Sequence, residues 1–272
     1  MFKRMFSLSR PVKNVLSAIF YVIFFVYMVK LIIQAPDLSS RLMYAVLLVG
    51  VGGVAAWYEA MKAVLQSAIK QAVMYCDREK TLSRLALLEK MDRRQTYAGS
   101  DCILRLLLLL DHCCFAEAAQ LAEQNAQTVL AQNAELKLVA RHTRFVACGE
   151  LGDLERCAEF YHSACDLRHI SVGGKVQNMA PYYSWDQMDA AFAFYSGKYK
   201  EGVKAAQKVS DHAMNPREKV QFHYLYARLL HAAGRRKHAL DELQLALQNT
   251  QRNTDMKELL EREAHTWKTE AD

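Results

Sequence analysis

Two apolar stretches near the N-terminus decide how this chain is organised. The first, Val15 to Ile33, reads VLSAIFYVIFFVYMVKLII, and the second, Leu42 to Tyr58, reads LMYAVLLVGVGGVAAWY. A helix needs about 20 apolar residues to cross the hydrocarbon core of a bilayer. Only Gln34 to Arg41 separate the two stretches. The pattern predicts a transmembrane hairpin, with spans at 15–33 and 42–60, inside an N-terminal anchor of residues 1–66.

Two other interpretations of these stretches are a cleaved signal peptide and a buried hairpin in a soluble core. The first run is longer than the apolar region of a signal peptide, and Ile33-Gln34-Ala35 lacks the small residues of a cleavage site. The run also carries almost no polar residue, whereas a helix of a soluble core shows a polar face. Both features favour a membrane anchor.

Basic residues flank the stretches unevenly, and the connecting loop carries only Arg41, balanced by Asp37. The flanking basic residues are Lys3, Arg4, Arg10 and Lys13 before the first stretch, and Lys62, Lys70, Arg78, Lys80 and Arg84 after the second. Because basic flanks are retained in the cytoplasm, we expect a two-pass integral membrane protein with N- and C-termini cytoplasmic. The seven Cys all follow Tyr58 without a CxxC motif, which fits a reducing compartment.

The composition after the anchor is typical of a helical protein. Gly (11 residues) and Pro (4 residues) are scarce, whereas Ala, Leu, Glu, Lys and Arg are abundant. The fold class predicted for the whole chain is therefore all-α. The net charge of +6 is modest and mixed in sign along the chain, so we expect no nucleic acid as a partner.

A helix–turn–helix pattern recurs in the second half of the chain. Each turn begins with Gly or a residue that replaces it. A large residue follows two positions later, and a small residue three positions after that. The four turns are Cys113 to Ala118, Gly152 to Cys157, Gly197 to Gly202 and Gly234 to Ala239. Gly ends a helix with positive φ, and the small residue lets two helix backbones approach. We also expect the large residue to fill the gap between the helices.

This pattern resembles the tetratricopeptide repeat (TPR), a helix–turn–helix unit of about 34 residues. The departures are Cys113 in place of Gly, Gly202 in place of Ala, and Arg236 in place of an aromatic residue. The resemblance implies an α-solenoid of TPR-like repeats over residues 101–250. Juxtamembrane helices would occupy residues 67–100, and a capping helix residues 251–272.

In TPR domains, the first helix of each repeat lines a concave groove that receives a peptide or partner helix. The stripe on one face of the last such helix in this chain consists of Gln221, Tyr224, Arg228 and His231. The resemblance therefore nominates these partner-binding residues, together with Gln187 and Phe194 from the preceding unit and His142 from the one before. The alternative for the same residues is a solvated face without a partner.

Local signals place several helix ends. Asn215, followed by Pro216 and Glu218, is a strong helix start. Thr254 is the expected cap of the last helix, and Ser171 to Pro181 is the expected loop.

No catalytic constellation stands out, so we expect neither an enzyme nor a cofactor. His162, Cys165 and His169 share one helix face, but the spacing of strong zinc motifs is absent. The expectation is that Cys165 packs in the core and that no metal binds. Cys113 and Cys114 are expected to be buried thiols at a turn rather than a redox pair.

The leading hypothesis is a membrane-anchored, TPR-like scaffold that binds a protein partner on the cytoplasmic side. The alternative is an accessory or regulatory subunit of a membrane complex that interacts mainly through the transmembrane hairpin. Gly50, Gly52 and Gly53 permit close packing on the second span, against the first span or another copy, which would give a homo-oligomer. In either case the lipid bilayer is a partner.

Overall fold

A computed structural model describes residues 10–172, 175–178 and 184–269. Within these residues the fold is all-α, with twelve helices and one short β-hairpin. The chain divides into two compact units, residues 1–63 and 64–272, and the division falls inside the second helix. Lys3 and Arg4, on which the predicted orientation partly depends, lie outside the described residues.

The helices follow one another with short connections. In chain order, α1 to α12 span Arg10–Gln34, Leu38–Met74, Arg78–Met91, Ala98–Asp111, Phe115–Asn125, Ala134–Glu150, Leu154–Cys165, Trp185–Tyr195, Tyr199–Ala206, Pro216–Ala232, Arg236–Asn249 and Thr254–Thr269. A 3₁₀ turn, Val129–Ala131, precedes α6. Strands β1 (His169–Val172) and β2 (Lys175–Asn178) pair in antiparallel register, with His169 opposite Asn178.

The β-hairpin corrects the prediction of a plain loop at Ser171–Pro181. Residues 171–172 and 175–178 belong to two paired strands, whereas residues 173–174 and 179–183 lie outside the described part. β-Branched residues such as Val172 and Val176 favour extended backbone. The insert is short, and the surrounding helical pattern gave no indication of a strand.

One described helix, α2, is long and apolar enough to cross a bilayer. At 1.5 Å per residue its 37 residues extend about 55 Å, well beyond the hydrocarbon core of about 30 Å. The described apolar part of α1, Ile19–Gln34, is shorter than a span. The structure thus supports one membrane span and does not support the predicted two-helix transmembrane hairpin.

The connection between α1 and α2 is a tight turn at Pro36 and Asp37. The Asp37 carboxylate accepts hydrogen bonds from the backbone N–H and the hydroxyl of Ser40, at 3.0 and 2.7 Å. This side chain caps the start of α2 and satisfies a backbone donor that the helix leaves open. Arg41 Nε donates to the carbonyl oxygen of Ala35 at 3.1 Å, which pins the turn from the other side.

Four helix pairs recur in the second unit, joined by turns at the four predicted positions. The left-handed residues of these turns are Cys113 (φ 57°), Gly152 (φ 79°), Gly197 (φ 72°) and Gly234 (φ 78°). In each turn a backbone N–H reaches back five residues, as from Lys198 to the Ala193 carbonyl at 2.8 Å. This is the Schellman arrangement, which satisfies the last carbonyls of a helix. Cys113 adopts the conformation that Gly provides in the other three turns.

The small residue of each turn packs as expected, but the large residue does not. Ala118 and Ala239 are fully buried, and Gly202 is also buried. In contrast, Leu154 is 55 % exposed and Arg236 is also exposed. The expectation that the large residue fills the gap between paired helices is wrong in these two turns. Close backbone approach through the small residue is what the four pairs share.

The predicted start of α10 is confirmed, and the predicted cap of α12 is wrong. Asn215 and Glu218 form a reciprocal capping box, with Pro216 at the first helical position. At α12 the capping side chain is Asn253, whose Oδ1 accepts from the Met256 N–H at 3.0 Å. Thr254 is instead the first helical residue. Asn253 is fixed in place because its Nδ2 also donates to the carbonyl oxygen of Asp111, at 3.0 Å.

Gly202 departs from the repeat pattern for a packing reason. A Cβ added there would lie 2.4 Å from Cδ2 of Leu229, a fully buried side chain of α10. It would also lie 3.3 Å from the Ala190 carbonyl oxygen. The Leu229 side chain of the following helix pair therefore occupies the space that an alanine methyl group at position 202 would need.

Gly202→Ala should therefore overpack this contact and lower the free energy of unfolding by about 1–3 kcal/mol. The measurement is thermal unfolding of the full chain in detergent, followed by circular dichroism at 222 nm. Adding Leu229→Val removes the clashing methyl group, so the double variant should be more stable than the two single effects predict. Strictly additive effects would show that Leu229 is not the obstacle.

Candidate functional site

A small cavity of about 80 Å³ lies on the inner side of the second unit. Side chains of α4, α6, α8, α10 and α12 line it. The residues nominated from the sequence that line this cavity are His142, Gln187, Gln221, Tyr224 and Arg228. The first helices of successive pairs thus bring these side chains together, as the repeat resemblance implied.

Arg228 and Glu150 form the central ion pair of the cavity. Arg228 Nη1 donates to Glu150 Oε1 at 2.6 Å, and the hydroxyl of Tyr195 donates to the same oxygen at 2.8 Å. Burial alone would lower the pKa of Arg228, but the charge of Glu150 and its hydrogen bond raise it overall. Burial, followed by the charge of Glu150, raises the pKa of Tyr195 well above its usual value. At neutral pH the guanidinium is charged and the phenol is neutral.

Two aromatic rings hold the Arg228 guanidinium. Its central carbon lies 4.3 Å from the centre of the Phe194 ring and 5.2 Å from that of Tyr224. A cation over an aromatic face gains about 0.5–2 kcal/mol, more when desolvated. Phe194 therefore does not line the cavity itself but helps to hold Arg228, which does.

A second buried ion pair joins α4 to α10. Arg217 donates to both carboxylate oxygens of Asp111, from Nε at 2.5 Å and from Nη2 at 2.8 Å. The side chains are only 5 % and 8 % exposed. Gln221 Nε2 donates to Asp111 Oδ1 at 3.1 Å, so this predicted groove residue supports the fold.

His142 lines both the cavity and a larger open groove. Burial, reinforced by the positive charge of Arg217, lowers its pKa to about 4. The imidazole is therefore neutral at physiological pH. The groove has a volume of about 680 Å³, and His142 also lines it. The other residues that line the groove include Thr96, Ser100, Ile103, Gln132, Glu135 and Leu136, which belong to α4, to α6 or to the segments just before these helices.

Gln187 is the predicted residue with an unsatisfied group in the cavity. Its side chain is 6 % exposed, and its Oε1 atom is buried without a hydrogen-bond partner among the described residues. Its backbone N–H is satisfied by Ser184 Oγ, which caps α8. A buried oxygen without a donor is unfavourable by about 1–3 kcal/mol. A hydrogen-bond donor to Gln187 Oε1 would therefore have to come from outside the described residues.

Tyr224 and His231 face the last helix rather than an open groove. The Tyr224 hydroxyl donates to Glu263 Oε1 at 2.8 Å, and burial raises its pKa. His231 stacks on Trp267 with ring centres 4.3 Å apart and an interplanar angle of 9°. Helix α12 thus covers the part of α10 that the sequence had assigned to a partner.

The other sequence candidates are dispersed. Cys113 is exposed rather than buried, and Cys114 is half-buried, so the expected buried pair is wrong. All seven Cys are free thiols. His162 packs its ring edge against Tyr161 and Phe192. Within residues 10–172, 175–178 and 184–269, no three His, Cys, Asp or Glu are arranged to hold a metal ion.

Sequence reasoning missed the acidic residues of both ion pairs. Asp111 ends the apolar run of α4, and Glu150 ends α6. A charge at the end of a buried apolar face is a signal that could have singled out Asp111. Its partner Arg217 lies 106 positions away, and no local pattern links them.

Comparison with protein-family models, with curated proteins and with solved structures gives no match for this chain.

Glu150→Gln should leave the Arg228 guanidinium without its counter-charge and weaken the acceptor for Tyr195. We expect the free energy of unfolding to fall by about 2–3 kcal/mol, since removing one member of a half-buried pair leaves the other uncompensated. Thermal unfolding of the full chain in detergent measures this. Glu159→Gln, at an exposed position of α7, is the matched control and should change little. Equal effects of the two variants would contradict the assigned role of the pair.

Proposed function

We propose that this protein is a membrane-anchored scaffold whose TPR-like repeats bind a protein partner on the cytoplasmic side. The observation that carries the proposal is the groove between α4 and α6, which shares His142 as a lining residue with the inner cavity. Its walls combine apolar side chains such as Ile103 and Leu136 with polar ones such as Gln132 and Glu135. A mixed lining of this kind suits a segment of another protein.

The anchoring part of the proposal rests on α2 and its surroundings. Large apolar side chains of the first unit, such as Phe20, Val22 and Val46, are exposed, and burial in lipid would remove them from water. We propose that α1 forms a second span, giving a two-pass protein. The basic flanks then favour cytoplasmic N- and C-termini. Tethering confines the partner to the membrane zone and raises its effective concentration there.

The groove assignment is best tested at its mouth, because Tyr224 and Arg228 also hold the fold together. A photo-crosslinking residue, p-benzoylphenylalanine, is placed at Thr96 or Gln132, both exposed and lining the groove. In native membranes we expect both positions to crosslink the same protein, identified by mass spectrometry.

The matched control carries the crosslinker at Gln124, an exposed residue of α5 that does not line the groove. It should give no crosslink to that protein. If Gln124 captures the same protein as strongly as Gln132 does, the groove is not the binding surface.

The alternative function is an accessory or regulatory subunit that interacts through its membrane helices. One observation favours it. A Cβ added at Gly50, Gly52 or Gly53 would meet nothing within 4 Å, so these glycines face open space on α2. Small residues let helix backbones approach closely in a membrane. The surface is suited to another membrane helix or to a second copy of this chain.

Replacing residues 10–58 with an unrelated two-span hairpin separates the two functions. A scaffold that binds through the groove should keep the crosslink from Gln132, whereas an accessory subunit should lose its partner. The measurement is the yield of the crosslinked product, normalised to the amount of chain in the membrane fraction. Loss of the Gln132 crosslink with an intact helical spectrum would favour the accessory subunit.

A further inference from the structure

The inner cavity contains an acceptor that lacks a donor. Gln187 Oε1 is buried, has no hydrogen-bond partner among the described residues, and belongs to a side chain that lines the cavity. A bound group that donates an N–H or O–H here would remove the penalty of the unpaired oxygen.

The same cavity contains donors with capacity to spare. A guanidinium has five N–H donors in one plane. Among the described residues, Arg228 makes one hydrogen bond, to Glu150, and its guanidinium lies 4.3 Å from the Phe194 ring centre and 5.2 Å from that of Tyr224. Because Arg228 lines the cavity, its remaining N–H groups could donate to a bound acceptor.

The acidic and basic side chains that line the cavity, Glu150 and Arg228, form one ion pair. His142 is uncharged, because burial and Arg217 lower its pKa to about 4. Burying a further charge here without a counter-ion would be strongly unfavourable. The cavity is therefore suited to a neutral group.

Size limits the choice further. The cavity is small, at about 80 Å³, and so suits the end of one side chain rather than a longer segment. Apolar walls, including Met188, Leu225 and Met256, surround the polar atoms and suit an aliphatic stem.

We propose that the cavity receives the primary carboxamide of an Asn or Gln side chain from the bound partner. Its N–H₂ would donate to Gln187 Oε1, and its carbonyl oxygen would accept from Arg228. This inference rests on the proposed function, because the side chain belongs to the partner that is proposed to bind in the groove. It adds a residue preference that the groove alone does not specify.

The test uses the full chain in lipid nanodiscs and three small probes of one shape: propionamide, propionate and 2-butanone. Ligand-observed saturation-transfer NMR titrations give a dissociation constant for each. We expect propionamide to bind at least about fivefold more tightly than 2-butanone, because a net hydrogen bond contributes about 1 kcal/mol. Propionate should bind more weakly than propionamide.

Gln187→Leu provides the decisive comparison, because leucine has a similar volume and no acceptor. In this variant the preference for propionamide over 2-butanone should disappear, while 2-butanone still binds. Retained binding of 2-butanone shows that the cavity is intact. Gln124→Leu, at an exposed position on α5, should keep the wild-type preference.

Three results would overturn the proposal. They are no propionamide binding to the wild type, an unchanged preference in Gln187→Leu, and propionate binding as tightly as propionamide. Crosslinking from Gln132 that persists alongside any of these would leave the scaffold function standing and remove only the carboxamide preference. Probe binding as expected, without any groove crosslink, would instead remove the scaffold function.

Discussion

The ion pair between Asp111 and Arg217 is the contact on which the inner side of the second unit depends. It joins α4 to α10 across 106 positions of sequence, with both side chains almost fully buried. Removing either partner would leave an uncompensated buried charge. The free energy of unfolding would fall by about 3–5 kcal/mol. Asn253, which caps α12, donates a hydrogen bond to the carbonyl oxygen of Asp111. The start of α12 is therefore held next to this ion pair. Early and late helices of the unit are thereby held together.

This closure changes what the repeat face can do. An open stack would expose the whole stripe of α10, but here Tyr224 bonds Glu263 and His231 stacks on Trp267. The space that remains is a small cavity, and a wider groove beside α4 and α6 shares His142 with it as a lining residue. The surface proposed to bind a partner therefore lies nearer α4 than the stripe on α10 indicated.

Local chemistry made part of this predictable. Gly152, Gly197 and Gly234 marked three turns, since few residues adopt positive φ without strain. The capping box at Asn215 was legible because its atoms lie within one helical turn. Gln187 and Arg228, which line the cavity, were nominated by the resemblance to the tetratricopeptide repeat rather than by periodicity. Glu150 was missed because its partners, Arg228 and Tyr195, come from other helices.

By itself, the sequence determined the helical class, the apolar α2 and the positions of the four turns. These properties depend on residues within a few positions of one another. Tertiary structure alone decided that α12 covers half of the predicted stripe, that Gly202 makes room for Leu229, and that Gln187 lacks a donor. The physical reason is that burial and pairing depend on which distant side chains meet, and short-range periodicity does not encode that.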